Sequence, residues 1–234
     1  MRKKLLVATV TIVAVLAIAA VALGSVSELG TTLDDHTAAC PDTCQAIGQV
    51  SGFQIQQSTR KLPYRLRSYG KVVAFTVKLG KPNASQIQFF NKLFGGPPQI
   101  ILTVLRPYVP KKGEKKQPNK YVLAGQSQPF QLQKYFGSAP TFALPRPLSI
   151  KPYDVVGITV PTWAPAFAVN LGDDMQWRSS RDPKSCDDVR QDAAQDIHGS
   201  ARTYGCVYKT ARLLYTVTYI RDPQPATPAP APKK

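Results

Sequence analysis

The sequence predicts a mainly β protein: an antiparallel, jelly-roll-like β-sandwich with one short helical insertion before the last strand. Three observations predict this class. Many short segments carry apolar residues at every second position, which is typical of strands with one buried face. Gly and Pro clusters such as "LGKPN", "GGPP" and "GSAP" separate these segments. The sequence shows no regular alternation of strands and helices. The short Gly/Pro links between the predicted strands can join only antiparallel neighbours, as in a sandwich or barrel.

The clearest strand is "YKTARLLYTVTYI", in which Leu213, Tyr215, Val217 and Tyr219 share one face. "KVVAFTVKLG" repeats the pattern. "QIILTVLRP" and "YDVVGITVP" are denser apolar runs that end at proline, as expected for more buried strands. Shorter strands are predicted at "AIGQVSGFQI", "SQIQFFN", "KYVLAGQ", "FQLQKYF", "TFALPRPL" and "AFAVNL". About ten strands in one domain favour a sandwich.

The helical insertion is predicted from Cys186 to His198, within "SCDDVRQDAAQDIHGSARTYGC". Ser185 and Asp188 resemble a capping box, with Asp in place of Glu, and Gly199 suits the position after a helix. Asp187 and Asp188 then lie where the helix dipole favours negative charge. The stretch is therefore interpreted as a capped helix, closed by a disulfide, that precedes the last strand.

At helical spacing, the acidic residues of this stretch form one stripe and the apolar residues a second. The stripes are Asp188, Asp192 and Asp196, and Val189, Ala193 and Ile197. The apolar stripe is expected to pack on the sandwich, and the acidic stripe to face water or a basic patch. Spacing along a rod does not wrap a calcium ion, and His198 projects away from the aspartates, so neither calcium nor a His–Asp dyad is predicted.

The chain divides into four predicted regions. Residues 1–24 begin with a basic segment and continue with the apolar run "LLVATVTIVAVLAIAAVAL", which is either a cleaved signal peptide or an N-terminal transmembrane anchor. Both place the remainder outside the cytoplasm, as a secreted or cell-envelope protein. Residues 25–39 are predicted to be a flexible lead-in, residues 40–221 the β-sandwich domain, and residues 222–234 a disordered Pro/Ala-rich tail.

Four cysteines in an exported chain predict two disulfides. The local solution pairs Cys40 with Cys44 and Cys186 with Cys206, while a crossed pairing between the two ends of the domain stays open. The Cys-x₃-Cys spacing has no partner pair at the spacing of a zinc site. No metal and no cofactor is therefore predicted.

The chain is strongly basic, with a formal net charge of +16, which becomes +13 once Arg2, Lys3 and Lys4 are removed with a signal. Such an excess favours anionic partners: wall polymers, phospholipid headgroups or nucleic acid. An exported protein rarely meets nucleic acid, so a cell-wall polymer, a glycan or a membrane surface is the expected partner.

Two segments concentrate this charge. "KKGEKKQPNK" carries Lys111, Lys112, Lys115 and Lys116 and is either a solvated hairpin tip or an anion-binding finger. "STRKLPYRLRSYGK" interleaves five cations with two tyrosines, a pattern that nucleic-acid-binding surfaces share. It is interpreted either as an outer strand with its arginines in solvent or as a surface for a polyanionic wall polymer or a membrane.

Exposed aromatic residues on sandwich loops are typical of carbohydrate-binding modules. The candidate ligand-binding residues are Trp163 in "VPTWAPAFA" and Trp177 in "DDMQWRSSR", supported by Arg178, Tyr153 and Tyr108. Pro161 and Pro165 hold the backbone around Trp163 extended, which suits a flat binding platform. The alternative interpretation is that both rings pack in the core or at a sheet edge.

No catalytic residue is predicted, and the protein is interpreted as not being an enzyme. His36 and His198 are the two histidines, and G-x-S-x-G is absent, which argues against a serine hydrolase. Asp154 with Asp173 or Asp174 leaves a carbohydrate-active hydrolase open as an alternative. Those aspartates lie in turn contexts, where Asp is common for local hydrogen bonding.

Four segments, "CQAIGQVSGFQ", "FFNKLFGGPP", "VPTWAPAFA" and "YGCVYKTARLLYTVTY", carry a resemblance over most of the mature domain. The chain resembles a group of exported, functionally uncharacterised β-sandwich proteins of high-GC Gram-positive bacteria. The resemblance implies location and fold, and it carries over no active-site residue. We therefore expect a non-enzymatic protein that binds an anionic or carbohydrate polymer at the cell envelope; the alternatives are the Asp-pair hydrolase and a purely structural envelope protein.

Overall fold

The structure, a computed structural model, describes residues 25–223. The predicted signal peptide or transmembrane anchor at residues 1–24 lies outside the described residues, as does the predicted disordered tail from residue 224 onward. Within residues 25–223, no helix has the length and apolar character that crossing a bilayer requires. Gly24–Asp222 forms one compact unit that contains both disulfides and the whole described core.

The described residues form fifteen strands, one α-helix and a short 3₁₀ turn. In chain order the elements are β1 (Val26–Leu29), β2 (Ile47–Gln57), β3 (Arg60–Lys61), β4 (Gly70–Val77), α1 (Ala84–Phe94), β5 (Gln99–Pro107), β6 (Lys120–Gln126), β7 (Phe130–Gln131), the 3₁₀ turn (Gln133–Tyr135), β8 (Thr141–Ile150), β9 (Val155–Ala164), β10 (Phe167–Ala168), β11 (Met175–Ser179), β12 (Ala201–Thr203), β13 (Cys206–Tyr208), β14 (Arg212–Leu213) and β15 (Tyr215–Arg221).

The strands form two principal antiparallel sheets. The smaller has the order β1-β15-β4-β8, and the larger has the order β12-β6-β5-β9-β2-β11-β13, with β3 added to β2 and β7 to β5. β10 and β14 form a separate two-stranded ribbon. Every pairing between named strands is antiparallel, which confirms the predicted antiparallel β-sandwich. The jelly-roll strand order stays a prediction.

The core is built from the alternation that the sequence displays. In the last strand, β15, the predicted residues Tyr215, Val217 and Tyr219 are buried, and Leu213, which belongs to the preceding strand β14, is buried as well. Tyr215 stacks on Tyr64, with 4.2 Å between ring centroids, and the Tyr64 hydroxyl donates to the Tyr215 carbonyl. In β4 the alternation shifts at a bulge between Val72 and Ala74, which buries Val72.

"SQIQFFN", predicted to be a strand, belongs to helix α1, so that prediction is wrong. Asn83 caps the helix: its side chain accepts from the Gln86 backbone N–H, and the Gln86 side chain accepts from the Asn83 N–H. Gly95, with φ of 77°, ends it in the left-handed conformation. The two aromatic residues that the helix buries, Phe90 and Phe94, are four positions apart, which is helical rather than strand spacing.

The predicted helix at Cys186–His198 is absent, and this stretch is a series of turns joined by a bridge between Ala193 and Val50. Asp182 and Asp188 explain the difference: the Oδ1 of each accepts from the backbone N–H two residues later. Such Asx turns compete with helical hydrogen bonding. The predicted apolar stripe therefore does not exist: Ala193 is buried, but Val189 and Ile197 are exposed.

The prediction of a flexible lead-in at residues 25–39 is corrected, because these residues pack against the domain. β1 pairs with β15 at the edge of the smaller sheet, and Leu33, Ala38 and Ala39 are buried. The fully buried Arg212 fixes the segment, since its guanidinium donates to Asp35 Oδ1 at 3.0 Å and to two backbone carbonyls. The sandwich therefore begins before Cys40.

Both disulfides follow the local solution, Cys40–Cys44 and Cys186–Cys206, which confirms one of the alternatives that the sequence left open. The described residues contain no free cysteine. Disulfides persist in oxidising compartments, so the two bonds indicate an environment outside the cytoplasm.

Candidate anion-binding groove

A groove with a volume of about 700 Å³ lies at the edge of the sandwich. Its lining is unusually basic and contains no carboxylate. The five cations that line it are Arg60, Lys61, Arg65, Arg67 and Arg221. A cleft lined by charges of one sign focuses the electrostatic field and favours binding of the opposite charge, here an anion or a polyanion.

Local backbone geometry places four of the cations. β2 turns back at Ser58, and β3 then pairs with the end of β2, so that Arg60 lies opposite Gln57. Leu62, with φ of 50°, redirects the chain. The next residues run extended against the start of β9, where the Leu66 N–H donates to the Asp154 carbonyl at 2.8 Å.

This extended run alternates between the core and the groove. Tyr64 and Leu66 are buried, while Arg65 and Arg67 are exposed. The anchoring tyrosine is fully buried and burial raises its pKa, so it stays neutral at physiological pH. The predicted outer position of the two arginines is confirmed, and the buried residues between them fix where their side chains emerge.

The fifth cation comes from the other end of the chain. Arg221 ends β15, its Nε donates to the Tyr219 hydroxyl at 2.9 Å, and its guanidinium lies 5.6 Å from that ring's centroid. Its backbone N–H donates to the Ser25 carbonyl at 3.0 Å. The groove therefore lies where the first and last described strands meet.

Apolar groups also line the groove, between the cations. They are Leu29, Leu62, Pro63 and Leu66, together with the ring of Tyr219. An apolar lining beneath charged groups lowers the local dielectric constant and strengthens the attraction of the cations for an anion.

None of the five groove cations forms an ion pair within residues 25–223. The three ion pairs of that part of the chain are His36–Asp35, Arg106–Asp154 and Arg212–Asp35. The buried Arg212 is paired with a carboxylate and bonded to two carbonyls, whereas the side chains of Arg60, Arg65 and Arg67 make no hydrogen bond or ion pair within residues 25–223. Like charges held close together repel, and an anionic ligand would relieve that repulsion.

The prediction that Trp163 and Trp177 are exposed ligand-binding platforms is wrong, because both rings are buried. Trp163 packs on Phe90 at 4.9 Å between centroids, and its Nε1 donates to Asn91 Oδ1 at 2.8 Å. Trp177 stacks on Tyr208 at 4.6 Å. Both tryptophans therefore stabilise the core, which is the alternative that the sequence left open.

The other predicted ligand residues do not converge on one site. Arg178 is half-buried, donates to the Tyr204 carbonyl at 3.0 Å, and has a pKa lowered by burial. Tyr108 donates to Glu114, a bond that raises the pKa of Tyr108 and lowers that of the carboxylate. Tyr153 is exposed, and its backbone N–H donates to the Leu66 carbonyl at 2.9 Å, beside the groove.

The four lysines of the predicted anion-binding finger, Lys111, Lys112, Lys115 and Lys116, are exposed in the connection between β5 and β6. The segment is the exposed tip of the β5–β6 hairpin, and its role as an anion-binding finger stays a prediction. Glu114 lies among them and accepts from the Lys111 backbone N–H at 3.1 Å. The tip lysines do not line the groove, and the tip carries its own carboxylate, which offsets part of their charge.

The aspartates of the alternative hydrolase interpretation differ in burial and bonding. Asp154 is buried and accepts two hydrogen bonds from the Arg106 guanidinium, at 2.8 and 2.9 Å, and one from the Lys151 backbone. Asp173 and Asp174 are exposed in a turn.

Among residues 25–223, no three His, Cys, Asp or Glu side chains are grouped so that they could hold a metal ion. His198 contacts the Ala124 carbonyl at 3.2 Å.

No protein-family model, curated protein sequence or solved structure matches this chain. The resemblance to exported β-sandwich proteins of high-GC Gram-positive bacteria therefore stays a prediction. The basic segment that forms one wall of the groove is visible in the sequence. The groove itself cannot be recognised in the sequence, because Leu29 and Arg221 join the basic segment only through long-range strand pairing.

Proposed function

We propose that this protein is a non-enzymatic, exported β-sandwich that binds an anionic component of the cell envelope through the basic groove. The observation that carries the proposal is the set of five groove cations without any carboxylate partner in residues 25–223. Four of the five are arginines, which match the geometry of phosphate and carboxylate groups bidentately.

The expected binding of a carbohydrate polymer loses its support, since both tryptophans are buried. The expected binding of an anionic polymer gains support from the groove. A polymer with charged groups along its backbone, or a surface with charged headgroups, would contact several cations at once. Such multiple contacts combine weak electrostatic attractions into useful affinity.

The test is co-sedimentation of the purified protein with bacterial cell-wall material that retains its anionic polymers. We expect pelleting at low ionic strength and its loss at roughly 0.5 M salt, where screening shortens the Debye length to a few ångströms. The control is the same material after chemical removal of the anionic polymers. Pelleting that is independent of salt, or equal with both materials, would contradict an electrostatic groove.

A further inference from the structure

One buried tyrosine of the groove uses its hydroxyl group differently from the other buried tyrosines. Three of the four tyrosines buried within residues 25–223 donate their hydroxyl proton to a protein acceptor; they are Tyr64, Tyr204 and Tyr215. The fourth, Tyr219, is only 4% exposed, and its hydroxyl oxygen accepts from Arg221 Nε at 2.9 Å. Among the described residues this hydroxyl donates to no acceptor, so its donor capacity is not used by the fold.

Tyr219 and Arg221 both line the groove, and their positions are fixed by strand pairing on both sides. They lie two positions apart on β15, so their side chains share one face of the strand. On one side, the Arg221 backbone N–H donates to the Ser25 carbonyl at 3.0 Å. On the other side, β15 pairs with β4, with Tyr219 opposite Val72. The hydroxyl and the guanidinium are therefore held next to each other at the groove.

The planar guanidinium gives this pair a definite binding geometry. Its Nε–H and the adjacent Nη–H point in the same direction, as a fork that normally accommodates two oxygens of one carboxylate or phosphate. The Tyr219 oxygen already takes the Nε–H. An oxygen that accepts from the adjacent Nη–H would lie beside the hydroxyl oxygen, at about the 2.7 Å of an O–H···O hydrogen bond. A single ligand oxygen can therefore accept from Arg221 and Tyr219 together.

We infer that Tyr219 and Arg221 form an oxyanion-binding pair, in which one oxygen of a phosphate or carboxylate group accepts from the Tyr219 hydroxyl and from Arg221 Nη. This inference rests on the proposed function, because it names the groups that bond directly to the anion in the groove. The groove lining contains no carboxylate that could take the hydroxyl proton instead. The remaining groove cations attract the anion by charge, whereas the pair fixes the position of one of its oxygens.

The test is titration calorimetry of the purified protein with polyphosphate at several salt concentrations. Tyr219→Phe keeps the ring and removes the hydroxyl. We expect affinity to fall about thirtyfold, because a hydrogen bond to a charged acceptor is lost. The slope of log affinity against log salt concentration is expected to stay unchanged, since the variant removes no charge. Arg221→Lys also keeps the charge but removes the fork, and is expected to give the same pattern.

Two control variants separate this hydrogen bond from charge and from general loosening of the core. Arg65→Gln with Arg67→Gln removes two charges, so it should weaken binding and also reduce the salt slope. Tyr204→Phe removes a buried hydroxyl outside the groove lining, so both quantities should stay at their wild-type values. Urea unfolding shows that each variant is folded. The same titrations with polyglutamate distinguish the two sources of the oxygen, phosphate and carboxylate.

Wild-type affinity of both Tyr219→Phe and Arg221→Lys for the two polymers would overturn the inference and leave the proposed function intact. A reduced salt slope in Tyr219→Phe would also overturn it, because the hydroxyl would then act only by positioning the charge of Arg221. Absence of wild-type binding to both polymers would contradict the proposed function as well.

Discussion

The groove and the acidic segment Asp182–Cys206 both concentrate charge, but their side chains bond to different partners. In the groove, the cations have no carboxylate partner in the described part of the chain, and the side-chain group that Arg221 contacts is the Tyr219 hydroxyl. In the acidic segment, Asp182 and Asp188 accept from backbone N–H groups of their own turns.

The buried polar groups of the acidic segment are also satisfied internally. Gln195 accepts from the Tyr204 hydroxyl at 2.8 Å, donates to the carbonyls of Tyr121 and Ser200, and its backbone donates to the Ser51 hydroxyl at 2.8 Å. The difference shows that charged side chains which hold loops in place are hydrogen-bonded within the protein, whereas most of the groove cations are not. The acidic segment uses its polar atoms to hold loops in place, whereas four of the five groove cations make no side-chain hydrogen bond or ion pair within residues 25–223.

The largest expected effect is alkaline unfolding, which involves both regions through three fully buried tyrosines. Burial raises the pKa values of Tyr64, behind the groove, Tyr204, in the acidic segment, and Tyr215, in the core. Each raised pKa means that unfolding releases a proton above pH 10, so this stability is present below pH 10 and lost as the pH rises. The free energy of unfolding is expected to fall by about 4 kcal/mol per pH unit above pH 10, which urea titrations at several pH values would measure.

Tyr204→Phe separates the two regions in that experiment. The variant removes one of the three buried hydroxyls, so the slope above pH 10 should decrease by about one third. An unchanged slope would show that the acidic segment opens before the core unfolds.

The next effect is the loss of the disulfide that closes the acidic segment. Cys186→Ser with Cys206→Ser is expected to lower the free energy of unfolding by about 3 kcal/mol, because the unfolded chain regains the entropy of a loop of this length. Affinity for polyphosphate should not change, since the bond lies outside the groove lining. A parallel loss of affinity would show that the two regions are coupled.

The smallest effect is expected for the acidic side chains themselves. Asp187, Asp188, Asp192 and Asp196 are exposed. Their replacement by Asn keeps the Oδ1 acceptor that the turns use, so thermal denaturation should give a free energy within about 0.5 kcal/mol of the wild-type value. A larger destabilisation would restore the idea that these carboxylates neutralise the protein's own basic surface.

The strands were predictable where strict alternation or a dense apolar run was compatible only with a strand, as in β5, β9 and β15. Helix α1 was missed because "SQIQFFN" also reads as alternating, although the Asn83–Gln86 capping box and the Gly95–Gly96 end signalled a helix. The reverse error occurred at Cys186–His198, where aspartates at helical spacing serve turns. In both segments, local hydrogen bonds of side chains with the backbone determine whether a helix forms. The spacing of apolar and charged residues does not reveal those hydrogen bonds.

The candidate site was only half predictable. Arg65 and Arg67 stand out in the sequence as cations interleaved with aromatic residues, and the structure confirms their exposure. The closing wall, Arg221 and Leu29, depends on which strands pair, and no local pattern reveals that. Trp163 failed as a predicted ligand residue because its proline-flanked backbone suits an exposed edge, but helix α1 covers the ring.

The most direct test of the account compares two charge reversals of equal size by titration calorimetry with polyphosphate at low salt. Arg65→Glu with Arg67→Glu changes the groove, and Lys111→Glu with Lys112→Glu changes the hairpin tip by the same net charge. Because each reversal replaces an attraction of about 1 kcal/mol by a comparable repulsion, we expect the groove variant to lose affinity about a thousandfold and the tip variant far less. Equal losses in the two variants would show that net charge, and not the groove, binds the anion.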